Sequence, residues 1–294
     1  METTIPCHMK TITLPNVETY AYREAGTSDK TLLLLHGNFT TSVFFEAFID
    51  KISPHYRVIA PDLRGFGHTT YNSPINTLDD LVEDLKQLIE TLKIDKVNLL
   101  GWSAGGPVAQ LFACKCPDLT ERLILVGSVG PRGTMMKDAQ GRLMRQKSDF
   151  EKCWIVLDLL TMIRAKDKRL LKWYLENAGF HNKDLPTKEM FEKYLDEVKL
   201  QRNMVDMFNA LNAFNISEDQ NGITKGTKQI NDIKGPCLLI HGSIDENVKC
   251  ENSLELKRYL GENANVEIIE GERHFLFEPK TAGTVAKLIQ DFIC

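Results

Sequence analysis

A chain of 294 residues, 43% hydrophobic and 26% charged, has the make-up of one large globular domain or of a core carrying an inserted subdomain. Its 36 basic and 40 acidic side chains leave a net charge of −4, which argues against a nucleic-acid partner because no excess of Lys and Arg is there to neutralise phosphates. Met1–Pro15 lacks the apolar run of a signal peptide and Leu32–Leu35 is too short to span a bilayer, so a cytoplasmic protein without a membrane partner is expected.

The N-terminal third alternates strand and helix patterns. Thr11–Leu14 and Thr19–Tyr22 read as short strands about a turn at Pro15-Asn16. Thr31–His36 is a continuous apolar run of the kind buried on both faces of a sheet, and Arg57–Ala60 is a further strand stopped by Pro61. Leu78, Leu81, Val82, Leu85, Leu88, Ile89 and Leu92 recur at helical spacing behind a capping pair, Thr77 and Asp80. Val97–Trp102 is a strand, Ala104–Cys116 a helix with Pro107 in its first turn, and Arg122–Ser128 another strand.

The alternation breaks after Gly130-Pro131-Arg132-Gly133. The chain beyond that turn carries helical patterning without a convincing strand: one stripe of Trp154, Leu157, Leu160 and Met162-Ile163, another of Phe191, Tyr194, Leu195, Val198, Met204, Val205, Phe208 and Leu211. Glu218–Lys228 is polar and reads as a loop. Strand and helix patterns then resume at Cys237–His241, Ser253–Leu260, Val266–Ile269 and Thr281–Phe292. The whole predicts an α/β fold, a mostly parallel doubly wound sheet interrupted by a helical insertion, with the core at 1–130 and 232–294 and the insertion at 131–231.

The chemistry centres on Gly101-Trp102-Ser103-Ala104-Gly105, a Gly-x-Ser-x-Gly sequence between a predicted strand and a predicted helix. By chance a chain this long carries roughly 0.1 such matches, so the strand-to-helix context is what gives the motif weight. A nucleophile on so sharp a turn needs small neighbours, and the following helix sets its positive end beneath any negative charge that forms. A serine hydroxyl also needs a base. His274 follows the last predicted strand, at the carboxyl edge of the sheet where Ser103 lies. Asp245, just after Cys237–His241, is the carboxylate expected to orient that imidazole; Glu246 is the rival, with a longer side chain. The oxyanion donors are expected to be the backbone N–H groups of Ala104 and Asn38, the Asn38 side-chain amide being a possible addition. His36 and His241 each precede a glycine at a strand end and read as structural. Asp62 and Arg64 read as loop braces, and Trp102 as a packing residue.

The seven cysteines, Cys7, Cys114, Cys116, Cys153, Cys237, Cys250 and Cys294, are odd in number and scattered, a poor disulfide framework. No His/Cys/Asp spacing suggests zinc, and no cofactor or metal is expected.

With His36-Gly37-Asn38, Asp62-Leu63-Arg64-Gly65-Phe66-Gly67, Gly101–Gly106, Gly242–Asp245 and a late His274 in this order, the chain resembles the α/β-hydrolase superfamily over nearly its whole length. It departs in one place, His68-Thr69, where relatives commonly carry a serine soon after the glycine. The resemblance implies that the insertion is a cap over the active site and that a small molecule is the substrate. Serine at 103 argues against dehalogenases and epoxide hydrolases, which resemble relatives with an aspartate nucleophile. A carboxylic ester or lactone hydrolase working through an acyl-serine is expected. The alternatives are a carbon–carbon bond hydrolase, an aminopeptidase using Glu192, Asp196 and Glu197 to hold an amine, and a low-turnover ligand receptor on the same scaffold. Trp154, Met162, Trp173, Phe208 and Phe214 are the cap residues that stand to line the pocket in part.

Overall fold

The computed structural model of the chain describes residues 7–165, 169, 172 and 186–294, so Trp173 lies outside the described residues. Strands β1 (His8–Thr13), β2 (Thr19–Ala25), β3 (Thr31–Leu35), β4 (Arg57–Pro61), β5 (Val97–Trp102), β6 (Thr120–Val126), β7 (Cys237–Gly242) and β8 (Ala264–Ile269) form a sheet in the order β1-β2-β4-β3-β5-β6-β7-β8. The β1–β2 and β2–β4 pairs are antiparallel and the rest parallel, so the expected mostly parallel sheet is present. β3 and β5 are buried at every position, as strands covered by helices on both faces must be.

Helices α1 (Glu46–Ile52), α2 (Leu78–Thr91), α3 (Gly105–Lys115), α4 (Lys147–Glu151), α5 (Trp154–Arg164), α6 (Lys188–Val198), α7 (Met204–Ala213), α8 (Glu251–Leu260) and α9 (Ala282–Ile293) complete the described elements. Among the described residues, α4 to α7 fall between β6 and β7 and belong to the helical cap. α2 starts as its capping pair requires, the Thr77 N–H donating to Asp80 Oδ2 at 3.1 Å. α1, with the 3-10 turn Ser42–Phe45 before it, has no counterpart among the elements expected from the sequence. Phe44, Phe45, Phe48, Ile49 and Ile52 are all buried there, so that segment is apolar on too many sides to show a one-faced helical period.

The cap follows one of its two predicted stripes. Phe191, Tyr194, Leu195 and Val198 of α6 and Met204, Phe208 and Leu211 of α7 are buried, though Leu200–Asn203 breaks the pattern into two helices. On α5 the buried positions are Val156 and Ile163, while Trp154 is 59% and Leu157 45% exposed. Ile163 of the expected stripe is buried and Leu160 and Met162 pack against the core, so the helix, apolar nearly all round, keeps the C-terminal half of that stripe and turns Trp154 and Leu157 outward.

Two buried polar clusters fix the frame. Asp84 is completely buried on the inner face of α2, yet both its oxygens are filled. Tyr20 Oη donates at 2.7 Å, Asn16 Nδ2 at 2.6 Å and Arg64 Nε at 2.7 Å, with Arg64 Nη2 bonded as well. Asp62 accepts the N–H groups of Ser42 at 2.9 Å and His68 at 3.0 Å, closing the loop around the turn after β4. Arg64 and Asp62 are therefore braces.

At the cap–core seam, the Phe44 ring stacks on Tyr194 of α6 with centroids 4.0 Å apart. Glu278, between β8 and α9, is buried close by. Burial pushes its pKa from an ordinary 4.5 up to about 8, and the hydrogen bond with Tyr194 offsets only part of that rise. Between these two values the folded chain keeps a proton that the unfolded chain has released, so this group lowers stability as pH rises through that window. Glu278→Gln should remove the loss: thermal melts of wild type and variant should be closest near pH 5 and separate by pH 8 in the variant's favour, by about 2 °C for each kcal/mol relieved. Parallel melting curves across that range would show that Glu278 is not the titrating group.

Candidate active site

Ser103 follows β5 directly and precedes α3, in a left-handed backbone conformation with φ +55°. Its N–H donates to Val126 O at 3.1 Å, while its own carbonyl accepts from Gly106 at 3.0 Å and Val129 at 3.3 Å. The turn closes too tightly for larger neighbours. A Cβ on Gly101 would meet Gly105 O at 2.6 Å, and one on Gly105 would meet Leu35 O at 2.4 Å.

Asp245 and His274 sit on the loops that leave β7 and β8 at the same sheet edge. The Ser103 hydroxyl lies 2.9 Å from His274 Nε2, and His274 Nδ1 lies 2.7 Å from Asp245 Oδ2. Asp245 Oδ1 accepts the N–H groups of Asn247 and Val248, both at 2.9 Å. Burial on its own raises the pKa of this carboxyl; bonds from His241 and His274, the charge of His274 and the Val248 N–H outweigh it and hold the pKa well below the usual carboxylate range. An ionised Asp245 accepts a hydrogen bond from His274 Nδ1–H, which leaves Nε2 as the acceptor facing the Ser103 hydroxyl. Glu246, the rival acid, is mostly exposed and pairs with Arg273 at 3.4 Å.

A cavity of about 200 Å³ opens beside this relay. Asn38, Ser103, Ala104 and His274 line its polar end, and Phe39, Val129, Phe208, Leu211, Val248 and Phe275 most of the remainder. The loop after β3 is pressed against the serine, since a Cβ on Gly37 would lie 2.8 Å from Ser103 Cβ. Of the described cap residues expected to line the pocket, Phe208 does so; Trp154, Met162 and Phe214 do not. Neither do Glu192, Asp196 or Glu197, and Glu197 instead accepts the Thr41 hydroxyl at 2.8 Å.

Two residues read from the sequence as structural, Trp102 and His241, support the site through contacts that the sequence does not show. Trp102 packs on Phe45, Phe275 and Phe277, and its Nε1–H also donates to the His274 carbonyl at 3.1 Å, bracing the loop that carries the imidazole. His241 lies behind Asp245. Its Nε2 faces two acceptors, Val248 O at 2.8 Å and Asp245 Oδ2 at 3.3 Å, so that nitrogen carries the proton. Its Nδ1 then accepts the Ser253 hydroxyl at 2.8 Å. Ser253, His241 and Asp245 thus form a second Ser-His-Asp array. Ser253 and His241 are both wholly buried and neither lines the cavity, so no substrate can reach that serine. His36 is likewise satisfied, between Gly37 O at 2.8 Å and the Leu63 N–H at 3.0 Å.

Residues 30–281 match the family described as alpha/beta hydrolase fold, and the chain belongs to that family. It is 26% identical over 267 residues, 91% of each chain, to (E)-2-((N-methylformamido)methylene)succinate hydrolase of Acinetobacter baylyi. It is 24% identical over 266 residues, 89% of this chain and 88% of the other, to 2-hydroxy-6-oxo-2,4-heptadienoate hydrolase of Pseudomonas putida. An esterase structure from Exiguobacterium antarcticum superposes with a TM-score of 0.74 at 17% identity, covering 97% of this chain and 99% of that one.

The two Ser-His-Asp arrays separate experimentally. Ser253→Ala should keep fluorophosphonate labelling and cost about 1–2 kcal/mol in urea unfolding, because His241 Nδ1 loses its donor. Ser103→Ala should fold normally and take no label. Labelling that survives Ser103→Ala but not Ser253→Ala would reverse the assignment.

Proposed function

We propose that this chain hydrolyses carboxylic esters or lactones of small molecules, with Ser103 as nucleophile, His274 as general base and acid, and Asp245 as the group that orients His274. The carrying observation is the unbroken relay of 2.7 and 2.9 Å contacts that ends on the wall of the cavity. The cap is taken as 131–231 and the core as 1–130 and 232–294.

The Ser103 oxygen attacks the substrate carbonyl as His274 Nε2 takes its proton. The tetrahedral oxyanion is held by the backbone N–H groups of Asn38 and Ala104, the latter at the head of α3. As the carbon–oxygen bond of the leaving group breaks, His274 returns the proton to the departing alkoxide, and an acyl-serine remains. A water then loses a proton to Nε2 and attacks the acyl carbon; the acid leaves and Ser103 regains its hydrogen. The ionised Asp245 stabilises the imidazolium at both stages without taking the proton.

The names of the two relatives specify carboxylate substrates, which would favour an acidic substrate here. Such a substrate needs a cation to meet its charge, and among the described residues no Lys or Arg lines the cavity. A neutral ester or lactone fits that lining better. A cytoplasmic setting agrees with seven cysteines that are all free thiols. No described helix is long and apolar enough to cross a membrane.

Stopped-flow mixing with p-nitrophenyl acetate should give a burst of one nitrophenolate per chain followed by slower turnover. Asp245→Asn should lower kcat by roughly 10⁴, because an amide there favours the wrong imidazole tautomer. Folded wild type that shows neither burst nor turnover on a panel of short esters and lactones would move the protein to the receptor reading.

A further inference from the structure

Gln201 lies in the connection between α6 and α7 and is 6% exposed. Its Oε1 accepts the Phe39 N–H at 3.1 Å. Of the two ends of a glutamine amide only the oxygen can accept from a backbone N–H, so this bond fixes which way the Gln201 amide faces. Its Nε2 then donates to Asn38 Oδ1 at 2.6 Å and to Asn203 Oδ1 at 3.1 Å. The same logic passes to Asn38: with its oxygen turned to Gln201, its Nδ2 points elsewhere. That Nδ2 is buried and has no partner, on a residue that lines the cavity beside Ser103.

Two further observations single out this loop. Phe39 holds φ at +58°, which a bulky residue adopts only under constraint, and the Gln201 bond to its N–H supplies one. The Gln201 segment is itself anchored to the core: Arg202 N–H donates to Gly65 O at 2.8 Å and Asn203 Nδ2 to Arg64 O at 2.6 Å. A cap residue held rigidly to the core therefore dictates the orientation of an amide in the loop beside the nucleophile.

We propose that Gln201 is a positioning residue, which sets the Asn38 side chain so that Nδ2 serves as a third donor to the oxyanion formed at Ser103. The inference rests on the reading of Ser103 as an acyl-accepting nucleophile. An unpartnered buried donor is poorly satisfied in the resting enzyme. It is met fully when negative charge develops on the substrate oxygen, so its effect falls on kcat more than on KM.

The test is a double-mutant cycle on p-nitrophenyl acetate and p-nitrophenyl butyrate, using wild type, Gln201→Leu, Asn38→Ala and the double variant, each checked for folding by circular dichroism. Gln201→Leu should lower kcat by about tenfold or more on both esters, with KM held within about threefold. In the Asn38→Ala background the same change should alter kcat by less than about threefold, since the group it acts through is gone. Equal losses in both backgrounds, or a loss confined to KM, would overturn the assignment. If Gln201→Leu does not fold, Gln201→Met, closer in length, takes its place in the cycle. Wild type that neither labels with a fluorophosphonate at Ser103 nor turns over either ester removes the ester-hydrolase reading and this inference with it. An additive cycle in an active enzyme removes this inference alone.

Discussion

The Asp245 carboxylate is the point on which the candidate site hangs. It is buried, and a buried charge persists only when every lone pair is met. Two backbone N–H groups take Oδ1, and two imidazoles approach Oδ2, one at 2.7 Å and one at 3.3 Å. The backbone bonds tie the carboxylate to its own loop, so its place relative to β7 is settled by the chain path. The imidazoles differ in standing. His241 is locked between Asp245, Val248 and Ser253 inside the core, whereas His274 reaches past the carboxylate to a hydroxyl on the cavity wall. One acid thus has a partner enclosed in the core and another that opens on the cavity. The same three residue types recur in both arrays, and burial decides which array can meet a substrate.

Around this centre the frame is built of satisfied polar groups wedged between apolar layers. The sheet supplies rigid strand ends, and their loops at one edge bring together positions 103, 245 and 274, far apart in the chain. Trp102 joins packing to positioning, since its ring fills the space between the 3-10 turn Ser42–Phe45 and the His274 loop while its N–H holds that loop's carbonyl. The Asp84–Arg64–Tyr20 cluster performs the corresponding task on the far face, where α2 meets the hairpin and the turn after β4.

Much of the fold is legible in the sequence because period and punctuation agree there. Leu78 to Leu92 carry one apolar face behind a capping pair, and Val97–Trp102 runs straight into a glycine-flanked turn. Legibility fails where apolar residues crowd every side. Phe44, Phe45 and Phe48 hide a helix, and the apolar girth of α5 hides which of its faces is inside. The serine, the late histidine and the aspartate are readable because each sits at a strand end in a recognisable order. The contacts of their supports are not, even where His241 and Trp102 already read as structural. His241, Ser253, Trp102 and Gln201 matter through contacts made across 12 to 172 positions of chain, and no local pattern encodes such contacts.

The Gln201–Asn38 contact bears on how far the inserted cap is an independent module. Insertions in a scaffold of this kind invite exchange: one cap is cut out at its two junctions and another is grafted in to change what the pocket admits. Here the graft would also remove the side chain that aims Asn38 and caps the Phe39 amide. A chimera could then keep every residue of the Ser-His-Asp relay and still begin life with a misaligned Asn38–Phe39 loop. Transplantation in this scaffold has to carry the Leu200–Asn203 connector with the core.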